Sequence, residues 1–193
     1  MTTTAKDYPA LPFATAAAFE EWMRANHDRT DGVWVKLAKK ASGIQSVTHD
    51  EALDIALCFG WIDGQRNGLD DTHFLQKFTP RRPRSLWSKR NIDKVEKLIE
   101  TGRMQDAGLA EIEAAKLDGR WDAAYESQQN MTLPADFAEA LARNTQARDF
   151  YETLNKTNRF AIAWRLATAR TPATRQRRFD SLMAMLERGE KPH

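Results

Sequence analysis

Trp61-Ile62-Asp63-Gly64-Gln65-Arg66-Asn67-Gly68-Leu69-Asp70-Asp71-Thr72-His73-Phe74-Leu75-Gln76-Lys77-Phe78-Thr79 is the stretch whose reading decides the fold. Asn67-Gly68 and Asp70-Asp71 are turn chemistry, because Gly and Asn adopt positive φ readily and Asp side chains bond to nearby backbone. On either side lie short runs with strand-forming residues. The spacing predicts a strand over 61–66, another over 72–79, and an antiparallel hairpin between them.

Upstream, Val33-Trp34-Val35-Lys36-Leu37-Ala38-Lys39 alternates in character, with Val33, Val35 and Leu37 on one face and Trp34 and Lys36 on the other. That is a third strand. Residues 14–27 carry Phe19, Trp22 and Met23 at i, i+3, i+4 and read as a helix. Thr48-His49-Asp50-Glu51 has the Thr-x-x-Glu form of a capping box. The helix it opens runs through Leu53, Ile55, Ala56, Leu57 and Phe59, and Gly60 is placed to end it.

Downstream the chain turns helical. Pro80 and Pro83 interrupt regular structure, and Asn91 is placed to cap a helix ended by Gly102. Further helices are expected over 107–117, around Trp121 and Tyr125, after Pro134, and through Phe150, Tyr151 and Leu154. Phe160, Ala163, Trp164 and Ala167 give an i, i+3, i+4, i+7 stripe. Thr171-Pro172 opens a last helix with Phe179, Leu182, Met183 and Leu186 inward, closed by Gly189. The fold class is therefore α+β: a small antiparallel sheet of about three strands packed with helices, followed by an all-helical C-terminal half. Residues 1–127 form the expected α+β domain and 134–193 the helical region packed on it, with the polar stretch 128–133 as linker.

Composition narrows the function classes. The chain has 193 residues, 41% of them hydrophobic, enough for a globular core. Cys58 is the single cysteine, which excludes a disulfide framework and a cysteine zinc cluster. It lies in the apolar run Ala56-Leu57-Cys58-Phe59 and is expected to be a small core residue. Met1–Pro12 shows no cationic segment followed by an apolar one, and no run reaches the ~20 apolar residues of a membrane span. A cytoplasmic protein is expected. No phosphate-cradling glycine loop, nucleophile elbow or His-Glu-x-x-His is present, so no cofactor or metal is expected.

The net charge of +2 conceals a segregation. Residues 72–92 carry six Lys/Arg and no acid, and residues 153–179 carry seven and no acid. The rest of the chain holds 16 Lys/Arg against 27 Asp/Glu. The two basic segments either pair with that acidic remainder or form a field aimed at an anionic ligand. In the ligand reading Arg81, Arg82, Arg84, Lys89 and Arg90 clamp an anion, while Trp87 and Trp61 supply a flat wall. Replacing Arg81 and Arg82 by Ala is then expected to weaken binding and leave the thermal midpoint nearly unchanged. Arg175 and Arg178 stand three apart at the start of the last helix, where cations oppose the macrodipole. An acidic partner or a bound anion is needed there.

Asp63, beside Gly64, is a candidate acid/base or anchoring carboxylate, or else an ion-pair partner of Arg81 or Arg82. His73 is the matching candidate histidine. His27, His49 and His193 show no metal-ligand spacing.

Four phrases carry a resemblance: Gly32-Val33-Trp34-Val35-Lys36-Leu37-Ala38-Lys39-Lys40, then Glu51-Ala52-Leu53 through Cys58-Phe59-Gly60-Trp61-Ile62-Asp63-Gly64-Gln65, then Phe78-Thr79-Pro80-Arg81-Arg82-Pro83-Arg84-Ser85-Leu86-Trp87-Ser88, and Ala173-Thr174-Arg175-Gln176-Arg177-Arg178. Together they resemble the YdeI/OmpD-associated family, also called bacteriocin-protection proteins, over about residues 19–189. The resemblance implies a role in resistance to antimicrobial peptides and association with an outer-membrane porin, and brings no catalytic residue. The expected function is a stress or bacteriocin-resistance protein that binds an anionic small molecule or protein partner at the Arg/Trp loop and is not an enzyme. Two alternatives stand beside it. One is a small enzyme acting on an anionic metabolite through Asp63 or His73. The other is a nucleic-acid-associated protein that uses both basic segments as one stripe.

Overall fold

The hairpin is present in the computed structural model, which describes residues 8–192. Residues 1–7, which hold most of the N-terminal stretch read above, and His193 lie outside the described residues. Strand β3 (Trp61–Gly68) pairs antiparallel with β4 (His73–Pro80), from Trp61 opposite Pro80 to Gly68 opposite Phe74, with a register shift between Asp63 and Arg66. On the other side of β4 lies β2 (Val33–Ala38), also antiparallel, with Val33 opposite Phe78 and Ala38 opposite His73. The alternation in β2 holds, since Val33, Val35 and Leu37 are buried and Trp34, Lys36 and Ala38 are not.

Among the described residues the sheet has four strands rather than about three. Strand β1 (Ala10–Pro12) adds in parallel to the outer edge of β2, giving the order β1-β2-β4-β3. Three residues ending in proline carry no alternation to read. The strand forms because the edge of β2 offers donors, and the Trp34 amide donates to the Pro9 carbonyl at 2.9 Å.

Helices α1 (Ala16–Asn26) and α2 (His49–Cys58) supply the core beside the sheet. Thr15 caps α1 by accepting from the Ala18 amide, and both halves of the Thr48/Glu51 capping box are made in α2. Phe19 of α1 meets Phe78 of β4 with ring centroids 5.7 Å apart. Helices α3 (Lys89–Glu100) and α4 (Asp106–Leu117) come next in the chain. Helix α3 starts two residues before the Asn91 cap expected from sequence. Trp121 stands in a run of turns rather than on a short helix.

The described residues divide into two compact units, 8–87 with 91–123, and 88–90 with 124–192. The second unit holds α5 (Ala135–Arg143), α6 (Thr145–Thr153), α7 (Lys156–Ala167) and α8 (Pro172–Glu187) around Phe137, Leu141, Leu154, Ile162, Leu166, Leu182 and Leu186. Thr171 caps α8, with Pro172 in its first turn. In α7 the buried face is Asn158, Ala161, Ile162, Ala163 and Leu166. Ala167, from the expected stripe, is exposed, and Phe160 and Trp164 are half-buried at the edge. Both phases carry apolar residues, so periodicity alone picks the wrong one. No helix among the described residues is long and apolar enough to cross a membrane.

One contact in the first unit tolerates no side chain. A Cβ on Gly108 of α4 would stand 2.3 Å from the Cys58 carbonyl oxygen and 2.8 Å from that of Leu57, at the end of α2. Both are backbone atoms and cannot step aside. Gly108→Ala is expected to lower the unfolding free energy by about 2 kcal/mol, despite the better helix propensity of alanine. A urea titration followed by circular dichroism measures this.

Candidate functional site

The end of β4 leads into the basic loop. The Arg81 amide donates to the Gly60 carbonyl at 3.0 Å, which ties the loop to the start of β3. The Arg81 side chain is only 5% exposed. Its Nη1 donates to the Leu86 carbonyl at 3.3 Å, and its guanidinium carbon lies 3.6 Å from the centre of the Trp87 ring. Trp87 is itself buried and packs against Trp121 at 5.2 Å. Arg120, which sequence reasoning did not single out, donates from Nη1 to the Ser85 carbonyl at 2.9 Å while its Nε is held by Asp118 at 2.7 Å. Arg84 adopts positive φ, 64°, the turn that reverses the loop. Arg82 and Arg84 are exposed.

The loop therefore splits. Arg81 and Trp87 face each other inside the first unit, and Arg82 and Arg84 face solvent. Trp61 is also a core residue, 1% exposed, with its Nε1 donating to the His27 carbonyl at 3.1 Å. The expectation that Trp61 and Trp87 present a flat wall to a ligand does not fit these positions. In the second unit, Lys89 forms an ion pair with Glu126, and Arg90 is exposed at the start of α3.

Among the described residues Asp63 pairs with neither an arginine nor His73. Its Oδ2 lies 3.2 Å from Nε2 of His49, and both side chains are about one-third exposed. His73 instead opens β4 and bonds back to the turn before it. Its Nδ1 lies 2.8 Å from Thr72 Oγ1 and 3.4 Å from Asp70 Oδ1. Hydrogen bonds from the Thr72 hydroxyl and amide hold the Asp70 carboxyl well below the usual carboxylate range. The His49–Asp63 contact joins α2 to β3 across 14 residues of sequence, a separation that hid it. Burial pushes the Cys58 thiol up to about 11, which leaves it protonated and unreactive near neutrality. Among the described residues no group of three or more His, Cys, Asp or Glu is placed to hold a metal ion.

The second basic segment resolves differently. Arg175, in the first turn of α8, reaches Asp136 at the start of α5 through two hydrogen bonds of 2.7 and 2.8 Å. Those bonds hold the Asp136 carboxyl below its ordinary range and raise Arg175 above its own. Arg178 has no carboxylate partner among the described residues. Its Nη1 donates to the Arg165 carbonyl at 2.6 Å and lies 3.4 Å from Thr168 Oγ1. Arg165 donates to the Pro192 carbonyl at 3.0 Å, and Arg177 to Thr174 Oγ1 at 3.3 Å. Arg165, Arg177 and Arg178 line one cavity of about 340 Å³ together with Thr174, Ser181 and Leu182. No carboxylate lines it, and none of the three arginines forms an ion pair among the described residues.

Comparison with known families places the two halves separately. Residues 11–111 match the model described as Domain of unknown function (DUF8412). Residues 130–189 match the model described as Bacteriocin-protection, YdeI or OmpD-Associated. Three of the four phrases quoted above fall in the first match and Ala173–Arg178 in the second. The first match spans more than half of the chain, so the chain belongs to the DUF8412 family, while the second covers a shorter stretch. No curated protein and no solved structure matches it.

Two outcomes test this sorting of charges. Arg81→Ala is expected to lower stability by about 2 kcal/mol or more, through loss of a desolvated cation–π contact, while Arg82→Ala stays within about 0.5 kcal/mol of the parent. Burial of Arg81 thus reverses the expectation that both replacements leave the midpoint unmoved. Asp136→Asn is expected to cost under about 1 kcal/mol at neutral pH. Because the folded carboxyl is depressed, that contribution is complete above the unfolded value of about 4 and fades as pH falls through the folded one. Thermal midpoints of parent and variant should therefore converge in acid and separate at neutral pH.

Proposed function

We propose that this DUF8412-family chain acts in bacteriocin protection as a binding protein, with an anionic group of its ligand or partner seated among Arg165, Arg177 and Arg178. The observation that carries this reading is the presence of three arginines in the lining of one cavity that no carboxylate lines. Like charges so placed repel, and an anion turns that repulsion into attraction. Guanidinium forks suit phosphate and carboxylate oxygens, and the Thr174 and Ser181 hydroxyls add neutral donors. Every lining residue lies inside 130–189, the stretch that matches the bacteriocin-protection model. A cationic peptide suits this cavity poorly, so protection runs through an anionic partner rather than capture of a basic bacteriocin there. Arg82, exposed on the basic loop, offers the same chemistry on the first unit.

A second reading, acid–base chemistry on an anionic metabolite, draws support from the His49–Asp63 contact. In that reading His49 takes the role first given to His73.

Calorimetric titration of the full chain with inorganic pyrophosphate at low and high salt tests the binding reading. Arg177→Gln is expected to weaken the interaction about tenfold, and salt to weaken it in the parent. Cells carrying the variant should survive bacteriocin challenge less well. Unchanged affinity in Arg177→Gln, or loss through Arg82→Gln alone, would contradict the proposed seat. Loss of protection in His49→Gln with affinity intact would favour the enzyme.

A further inference from the structure

The second unit contains another cavity, of about 540 Å³, within the size range of small-molecule sites. Its walls mix three kinds of group. Tyr151 and Phe160 are aromatic, with Met131, Leu133 and Ala163 beside them. Gln128 and Gln129 bring side-chain amides. Lys156 and Arg159 bring two positive charges, and no Asp or Glu lines the space.

The position of those cations is costly to the fold. Both lie in the first turn of α7, whose N-terminus carries partial positive charge, and no acid shares that turn. Asn155 caps the helix by accepting from the Asn158 amide at 2.9 Å. Arg159 donates to the Glu152 backbone carbonyl at 2.6 Å, and its guanidinium carbon lies 5.2 Å from the Tyr151 ring centre. Neither Lys156 nor Arg159 forms an ion pair with a carboxylate among the described residues. Helix physics alone would favour acids here. Two cations, three apart at the rim of an aromatic-walled cavity, make sense when an anion completes them.

We infer that this cavity binds a small organic carboxylate with a flat apolar body. The carboxylate meets Lys156 and Arg159, the ring lies along Phe160 and Tyr151, and Gln128 and Gln129 donate to oxygens at its margin. Inorganic anions lack the body that the aromatic wall would bury, and neutral aromatics lack the charge that would offset the two cations. The site shares no lining residue with the three-arginine cavity, and neither stands on the other.

The test titrates the full chain with 2-naphthoate, its neutral isostere 2-naphthamide, and acetate, followed by ¹H–¹⁵N chemical shifts. Saturable naphthoate binding is expected, with the largest shifts at Met131, Tyr151, Phe160 and Ala163. Naphthamide and acetate should each bind about tenfold or more weakly. Lys156→Gln combined with Arg159→Gln should erase the preference for naphthoate over naphthamide, with a thermal midpoint unchanged or raised, and Arg177→Gln should leave it intact. Equal affinity for naphthoate and naphthamide, no saturation at millimolar concentration, or shifts centred elsewhere would overturn the assignment. If the double variant failed to fold, the naphthoate–naphthamide comparison on the parent chain would still decide.

Discussion

The guanidinium carbon of Arg81 lies over the indole of Trp87, 3.6 Å from its centre, and both residues are buried. A buried cation is tolerable only where something replaces its hydration. Here the ring face and the Leu86 carbonyl do so, among other contacts. That single contact fixes the path of the chain beyond β4. It closes the Pro-Arg loop over its own tryptophan and sets Trp87 against Trp121. Arg120 then reaches the Ser85 carbonyl from a neighbouring turn. What looks in the sequence like an open basic loop is half a brace.

Elsewhere in the chain some cations pair with carboxylates, and others line cavities that no carboxylate lines. Lys94 bridges Asp50 and Asp54, Lys89 meets Glu126, and Arg175 takes Asp136. These pairs absorb part of the acidic excess around the basic segments. In the helical unit, by contrast, Arg165, Arg177 and Arg178 share a cavity, and Lys156 with Arg159 share another. Both cavities lack carboxylates in their lining. An account of function therefore rests on the second basic segment more than on the first.

Much of the fold was legible because its signals are local. Thr48-x-x-Glu51 capped a helix, Gly60 ended it in positive φ, and the β2 alternation named its buried face. Strand β1 was not legible, because an edge donor on β2 creates it rather than any pattern in Ala10-Leu11-Pro12. The phase of α7 was misread because residues 160–167 are apolar on two faces, and only the packing of Ile162 and Leu166 against Leu182 and Leu186 chooses between them. At the candidate sites, Arg178 was legible as a cation needing compensation. Its cavity partner Arg165 and the His49–Asp63 pair were not. Those pairings span 13 and 14 residues and depend on how elements fold back.

The central claim is that Arg81 belongs to the structure while Arg177 and Arg178 belong to a ligand. Resolved arginine Nε–Hε signals, followed during a pyrophosphate titration of the full chain, test it most directly. The account predicts saturable shifts at Arg177 and Arg178 and a stationary Arg81. Shifts at Arg81 with Arg177 and Arg178 unmoved would contradict it.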